Sequence, residues 1–210
     1  MPSRITRSGT NFRGWFPSRK NSCLIPWHSL EERSGVLLLE FSPQVLRYHA
    51  QPGPFHLTTP CGATTYTPDY AADLRDGTTA LIEIKLASEF RKPSVSYRLG
   101  LVRAALAERG HQLHLWDQRI LGFSYRYNNL EELRPKVGRM SPADFQEAQM
   151  YIERIKPKTF GALARLAGDQ RTAWVWIAAG LAGIDLDAPL TSSSEIYVEP
   201  PEARHAAIFA

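Results

Sequence analysis

The most informative pattern along the chain is a pair of apolar, β-branched runs on either side of Asp76-Gly77. This dipeptide readily takes up the positive φ angles of a tight turn, so the stretch from Tyr66 to Leu86 predicts a β-hairpin. Side chains alternate between the two faces of a strand, which places Glu83 and Lys85 on the same face of the second strand. The hairpin therefore presents a carboxylate and an ammonium group side by side.

The remaining hydrophobic periodicity alternates between helical and extended segments. Helices are predicted at 27–41, 94–109, 129–134, 142–155, 159–167 and 170–182, and strands at 45–51, 55–59, 111–116, 184–186 and 196–198. Together they predict an α/β fold with a core at 27–139, in which helices flank a mixed sheet. The last three helices and two short strands predict a small winged-helix domain at 140–198. Residues 1–26 are predicted to be a basic arm and 199–210 a tail.

Candidate chemistry is concentrated on the hairpin. Asp69 lies on the first strand, where pairing can bring its carboxylate beside that of Glu83. Adjacent carboxylates repel each other unless a positive charge lies between them, and a divalent ion commonly supplies it. Ligands that are all oxygen favour Mg²⁺ or Mn²⁺. Lys85 is then placed to orient a water molecule or to neutralise charge on a phosphate.

The composition is that of an ordinary globular protein with a small excess of basic residues. The chain has 210 residues, is 43% hydrophobic and carries a formal net charge of +4, which permits a nucleic-acid partner. No apolar run is long enough to span a membrane, and the N-terminus has no secretory signal, so no membrane partner is predicted. Cys23 and Cys61 are predicted to be free thiols in a reducing compartment, and a cytoplasmic location is expected.

Two basic segments are candidate DNA contacts. Near the N-terminus, aromatic residues alternate with cations, and Ser18, Arg19 and Lys20 are the predicted phosphate contacts. The alternative is a partly disordered arm whose aromatic residues dock on the protein's own core. Arg91 and Lys92 follow the hairpin and are predicted to touch DNA, with a solvated loop as the alternative.

Five pieces of the sequence support a family resemblance. They are Trp27-His28-Ser29-Leu30-Glu31-Glu32-Arg33, Leu39-Glu40-Phe41-Ser42-Pro43-Gln44-Val45, Tyr48 with Gln51-Pro52, Tyr66-Thr67-Pro68-Asp69-Tyr70 and Glu83-Ile84-Lys85. The last two resemble the Pro-Asp…(Asp/Glu)-x-Lys signature of restriction-endonuclease-like nucleases. In order and spacing, all five resemble the TnsA family, the endonuclease subunits of heteromeric cut-and-paste transposases.

This resemblance implies a restriction-endonuclease-like core that hydrolyses the 5′ strand at transposon ends. It also implies two protein partners, an integrase-type transposase and an AAA+ ATPase regulator. The implied catalytic residues are Glu32, Asp69, Glu83 and Lys85. Asp69, Glu83 and the backbone carbonyl of Ile84 would hold Mg²⁺, for which Mn²⁺ can substitute, and Glu32 would bind a second ion or a metal-bound water.

The choice of Glu32 rather than Glu31 depends on the following arginine and on the distance to Phe41, because the helix motif departs from the family pattern at His28 and Glu31. Glu31 remains the alternative.

The segment at 170–182 offers few base-reading residues and is rich in tryptophan and alanine, which favours a role in the core or in a protein contact. The C-terminal domain is therefore predicted mainly to dock a protein partner. Two other functions stay open. One is a catalytically inactive scaffold that links the transposase to the ATPase regulator, and the other is a stand-alone restriction or junction-resolving nuclease.

Overall fold

The computed structural model describes residues 12–42, 44–122 and 125–198. The described residues up to Leu121 form one compact unit, and those from Gly122 onward form a second. The first unit contains the strands and helices β1 (Gly14–Ser18), β2 (Cys23–Trp27), α1 (Leu30–Phe41), β3 (Val45–Ala50), β4 (Phe55–Thr59), β5 (Gly62–Tyr66), β6 (Tyr70–Leu74), β7 (Thr79–Ile84), α2 (Ala87–Phe90), α3 (Pro93–Ala107), β8 (Gln112–Trp116) and α4 (Gln118–Leu121).

A four-stranded mixed sheet with the order β3-β6-β7-β8 forms the centre of this unit. Strands β3, β6 and β7 pair antiparallel, and β8 pairs parallel to β7 after the crossover through α3. The turn between β6 and β7 contains Gly77 at φ +86°, a conformation that favours glycine. The predicted hairpin and the mixed α/β architecture are therefore confirmed.

Helices cover both faces of the sheet. Helix α1 begins after its N-cap Ser29 and buries its central segment from Ser34 to Leu39. It lies directly against β7, since a Cβ atom added to Gly35 would come within 2.3 Å of Ile84 Cδ1. Helix α3 packs on the opposite face, where its Leu99 and Leu106 join Leu81 and Leu113 in one apolar cluster. This packing holds β7 rigidly between the two helices.

The prediction that residues 1–26 form an arm is wrong for the described part of that segment, which is folded. Strands β1 and β2 form an antiparallel hairpin, and Phe16 and Ile25 are each only 4% exposed. The hairpin packs on α1 because these alternating apolar side chains can be buried there. Residues 1–11 of the predicted arm lie outside the described residues.

The second unit is formed by α5 (Arg126–Leu133), α6 (Pro142–Ile155), α7 (Phe160–Ala167), α8 (Gln170–Ala178), β9 (Gly183–Ile184) and β10 (Ile196–Tyr197). Helices α6, α7 and α8 begin within one residue of the predicted starts, after the N-caps Ser141, Thr159 and Asp169, whose side chains accept backbone hydrogen bonds. Strands β9 and β10 pair antiparallel, as predicted for the wing. The predicted tail at 199–210 lies outside the described residues.

The predicted boundary after residue 139 falls inside this second unit. Helix α5 belongs to the unit because Leu130 and Leu133 are buried. The side-chain amide of Asn129 also donates to the carbonyls of Leu186 and Ala188, close to the wing. The first unit therefore ends at Leu121, earlier than the predicted end of the core at residue 139.

The apolar side chains of α8 pack inside its own unit. Trp174, Trp176 and Ile177 are each less than 10% exposed, and Ala173 is fully buried. The Phe160 and Trp174 rings lie with centroids 4.7 Å apart. The apolar residues of α8 therefore have the core role, one of the two predicted for them, because a short unit needs these large side chains for its core. Docking of a protein partner by this domain stays a prediction.

Within the described ranges, no helix has both the length and the apolar character needed to cross a membrane. Cys23 and Cys61 are free and exposed.

Candidate active site

The β6–β7 hairpin brings Asp69 and Glu83 together. Asp69 immediately precedes β6, and the pairing of Tyr70 with Ile82 places it at the end of β7 that carries Glu83. The Asp69 Oδ2 atom accepts a hydrogen bond of 2.7 Å from the backbone N–H of Ile84. This bond fixes the Asp69 carboxylate at the carboxyl end of a central strand.

Glu83 is a buried carboxylate with a donor on each oxygen. The residue is 3% exposed. The hydroxyl of Tyr66 donates to Glu83 Oε2 at 2.6 Å, and Lys85 Nζ lies 2.5 Å from Oε1. Burial of a charge is tolerated when it is paired and hydrogen-bonded, and these two donors meet that requirement.

The site carries more negative charge than its one lysine balances. Burial, and next the neighbouring Glu83 carboxylate, raise the pKa of Asp69 to about 7. The Ile84 N–H and the Lys85 ammonium act in the opposite direction but do not cancel these effects. Glu32 also raises the Asp69 pKa, which shows that its charge lies within electrostatic reach.

Glu32 is held at the start of α1 by local hydrogen bonds. Its backbone N–H donates to Ser29 Oγ at 3.0 Å, and its Oε2 atom accepts from the His28 N–H at 2.7 Å. The Tyr70 hydroxyl lies 3.4 Å from the same oxygen. The structure therefore orients Glu32 toward the strand that follows Asp69. Across the described ranges, no three His, Cys, Asp or Glu residues form a group able to hold a metal.

Tyr66 was missed as a site residue by the sequence analysis. It is 4% exposed, and burial together with the Glu83 charge raises the pKa of its hydroxyl well above the ordinary value, so the hydroxyl stays a donor. Arg98, exposed on α3, is close enough to influence the Tyr66 pKa. The sequence does show an aromatic residue, Tyr66, three positions before Asp69. Strand β5, which carries Tyr66, was not predicted, so nothing indicated that its hydroxyl would reach Glu83.

Ser18 and Lys20 are engaged inside the protein rather than facing a ligand. Ser18 is 5% exposed and donates to Glu40 Oε2 at 2.7 Å. Lys20 Nζ donates to the backbone carbonyls of Leu39 at 2.9 Å and Val45 at 2.8 Å, and also to that of Ser42. Burial lowers the pKa of Lys20 to about 8. Their prediction as phosphate contacts is corrected, because both residues tie the β1–β2 hairpin to the end of α1.

We expect Lys20→Met to reduce the free energy of unfolding by about 2 kcal/mol, since it leaves the carbonyls at the end of α1 without their donor. Arg19→Met, which changes the exposed neighbour, is expected to stay within about 0.5 kcal/mol of the native protein. Urea denaturation of both variants measures the difference. Equal stabilities would contradict the structural role of Lys20.

Arg91 and Lys92 are exposed between α2 and α3, and Lys92 pairs with Glu89 at 2.6 Å. An exposed pair of this kind is weak, so both side chains remain accessible to a phosphate. Arg19 is also exposed. Their contact with DNA stays a prediction.

The sequence matches no protein-family model, and no curated protein matches it at a significant level. The assignment of a function therefore depends on the motif and on the geometry of Asp69, Glu83 and Lys85.

Proposed function

We propose that this protein is a Mg²⁺-dependent DNA endonuclease with a restriction-endonuclease-like core. The observation that carries the proposal is the meeting of the Asp69 and Glu83 carboxylates at the end of β7, with the ammonium group of Lys85 beside them. Within this proposal the chain is the transposase subunit that hydrolyses the 5′ strand at transposon ends. The integrase-type transposase and the AAA+ ATPase regulator are its proposed partners, supported by the sequence resemblance.

The donor set at the site suits a hard divalent cation. Asp69 and Glu83 offer carboxylate oxygens, and burial together with the Glu83 charge raises the pKa of Asp69, so a positive charge placed between them would be favourable. A cation held by these two residues and by the Ile84 carbonyl would supply that charge. Glu32 is already hydrogen-bonded at the start of α1, so its proposed role is to hold water or a second ion near the first.

Hydrolysis of a phosphodiester joins a water oxygen to phosphorus and breaks the bond to the leaving sugar oxygen, which then takes up a proton. A bound Mg²⁺ would stabilise the negative charge that develops on the phosphate. Lys85 is placed to orient the attacking water or to face the phosphate. Asp69 and Glu83 keep their positions during this step, because the Ile84 N–H and the Tyr66 hydroxyl hold them.

One exposed cation, Arg98 on α3, lies near the site and supports a phosphate-bearing substrate. Arg98 acts electrostatically on Tyr66, which is hydrogen-bonded to Glu83. Arg91, Lys92 and Arg103 are also exposed, on α3 or on the turn that precedes it. Exposed cations of this kind are the groups that bind a DNA backbone.

Calorimetric titration of Mn²⁺ tests the proposal without substrate or partner. We expect the native protein to bind Mn²⁺ and Asp69→Ala to lose at least about tenfold in affinity, because a direct ligand is removed. Asp73→Ala is the matched control. It removes an aspartate from the same short segment that instead pairs with Arg47 at 2.5 Å, so its Mn²⁺ affinity is expected to match the native value.

Cleavage is measured on labelled transposon-end DNA in the presence of the transposase. Asp69→Ala is expected to reduce the rate at least about 10³-fold, since the ligand and the site charge are lost together. Native protein that neither binds Mn²⁺ nor nicks the 5′ strand would overturn the proposal. Cleavage of unrelated DNA without partners would instead favour the stand-alone nuclease.

A further inference from the structure

The geometry points to Tyr66 as a positioning residue that decides which oxygen of Glu83 is available to a cation. This inference deepens the proposed function and rests on it. Tyr66 lies at the end of β5, three residues before Asp69, and its ring is buried in the cluster between β4, β7 and α3. Its hydroxyl reaches the site and donates to Glu83.

The two oxygens of Glu83 have donors of different kinds. Oε2 accepts from the hydroxyl of Tyr66, which is 4% exposed and is fixed by the packing of its ring. Oε1 pairs with Lys85, whose side chain is 30% exposed and extends from the residue after the end of β7. A flexible, partly exposed ammonium group can leave its partner, whereas a packed phenol cannot do so without opening the core. Glu83 Oε1 is therefore the oxygen that can exchange the Lys85 ammonium group for a cation.

This asymmetry fixes the orientation of the Glu83 carboxylate. With Oε2 committed to Tyr66, the Glu83 side chain cannot rotate, and Oε1 stays directed to the side occupied by Lys85. Donors behind a ligating carboxylate fix its orientation and raise metal affinity in the same way. Tyr66 thus prepares Glu83 for a cation before one is bound.

The test compares Tyr66→Phe with Tyr48→Phe in the full chain. Tyr48 is the matched control because it is also buried, at 1% exposure, and its hydroxyl donates at 2.8 Å to Glu40, a glutamate that is not part of the site. We expect Tyr66→Phe to weaken Mn²⁺ binding about tenfold by calorimetry. Tyr48→Phe is expected to leave it unchanged, while both variants lose similar thermal stability.

The outcomes separate this inference from the proposed function. Weaker Mn²⁺ binding confined to Tyr66→Phe supports the positioning role. Native-like affinity in Tyr66→Phe, with binding still lost in Asp69→Ala, overturns the role of Tyr66 and leaves the metal site standing. Absence of Mn²⁺ binding in the native protein overturns both. A Tyr66→Phe variant that binds more tightly would show that its hydroxyl competes with the cation, which also contradicts the inference.

Discussion

Lys85→Met is expected to bind Mn²⁺ about fivefold more tightly than the native protein while losing at least about 10²-fold in cleavage rate. The tighter binding follows because Lys85 Nζ occupies Glu83 Oε1 at 2.5 Å, so a cation must displace it. A partly exposed ion pair of this kind is worth about 1 kcal/mol, which corresponds to about fivefold in affinity. The slower cleavage follows because methionine can neither orient water nor stabilise charge on the phosphate.

This opposite response distinguishes Lys85 from the two acidic residues, whose replacement is expected to weaken both binding and cleavage. Mn²⁺ affinity is measured by calorimetry, and cleavage by single-turnover nicking of labelled transposon-end DNA. Lys158→Met, which changes an exposed lysine in the second unit, is the control for a general change in protein charge and is expected to bind Mn²⁺ as the native protein does. Weaker Mn²⁺ binding in Lys85→Met would mean that the lysine organises the site rather than competing for it.

Asp69→Asn is expected to stabilise the metal-free protein by an amount that grows as the pH rises. In the folded chain the pKa of Asp69 is about 7, compared with an ordinary value of 3.8. Between these values the folded state retains a proton that the unfolded state has released, so stability falls as the pH rises. Asparagine stays neutral and can still accept the Ile84 N–H, and it therefore removes this loss.

The stability gain of Asp69→Asn over the native protein should increase by about 4 kcal/mol between pH 4 and pH 8 and then level off. Scanning calorimetry in the presence of a chelator measures it. Asp73→Asn is the matched control because hydrogen bonding to Arg47 lowers the pKa of Asp73, which makes the expected pH trend opposite in sign. A gain that does not change with pH would contradict the raised pKa of Asp69.

These two results would show that the site lowers the stability of the folded chain when no cation is bound. Two neighbouring carboxylates are held together by the hairpin, and the Lys85 ammonium group beside them is paired with Glu83. Such a site costs stability in the metal-free chain, and a bound cation would return that stability. Burial and like charge are common means by which functional sites shift pKa values.

Much of the site geometry follows from local sequence patterns. The Asp76-Gly77 turn determines the register of β6 and β7, and this register alone places Asp69 beside Glu83. Ser29, a residue type that commonly caps helices, is the N-cap of α1, so Glu32 lies in the first turn. These features depend on turn chemistry, capping and strand alternation, which act over a few residues.

The N-terminal segment shows where local reasoning fails. Its basic residues predict an exposed arm, yet Lys20 donates to three carbonyls around the end of α1 and Ser18 donates to Glu40. Nothing within the segment indicates these partners, because they lie about twenty residues further along the chain. Long-range hydrogen bonds of this kind exist only once α1 and β3 have packed.

By itself, the sequence determined the hairpin, the helices α1, α3, α6 and α7, and the acidic and basic residues of the motif, because each depends on neighbours in the chain. Only the tertiary structure decided that Tyr66 supports Glu83, that Lys20 is structural and that the tryptophans of α8 are internal. Burial and the partners of a polar group depend on which elements pack together. The packing of the elements minimises exposed apolar area and unpaired donors over the whole unit, which no short segment of the sequence can determine.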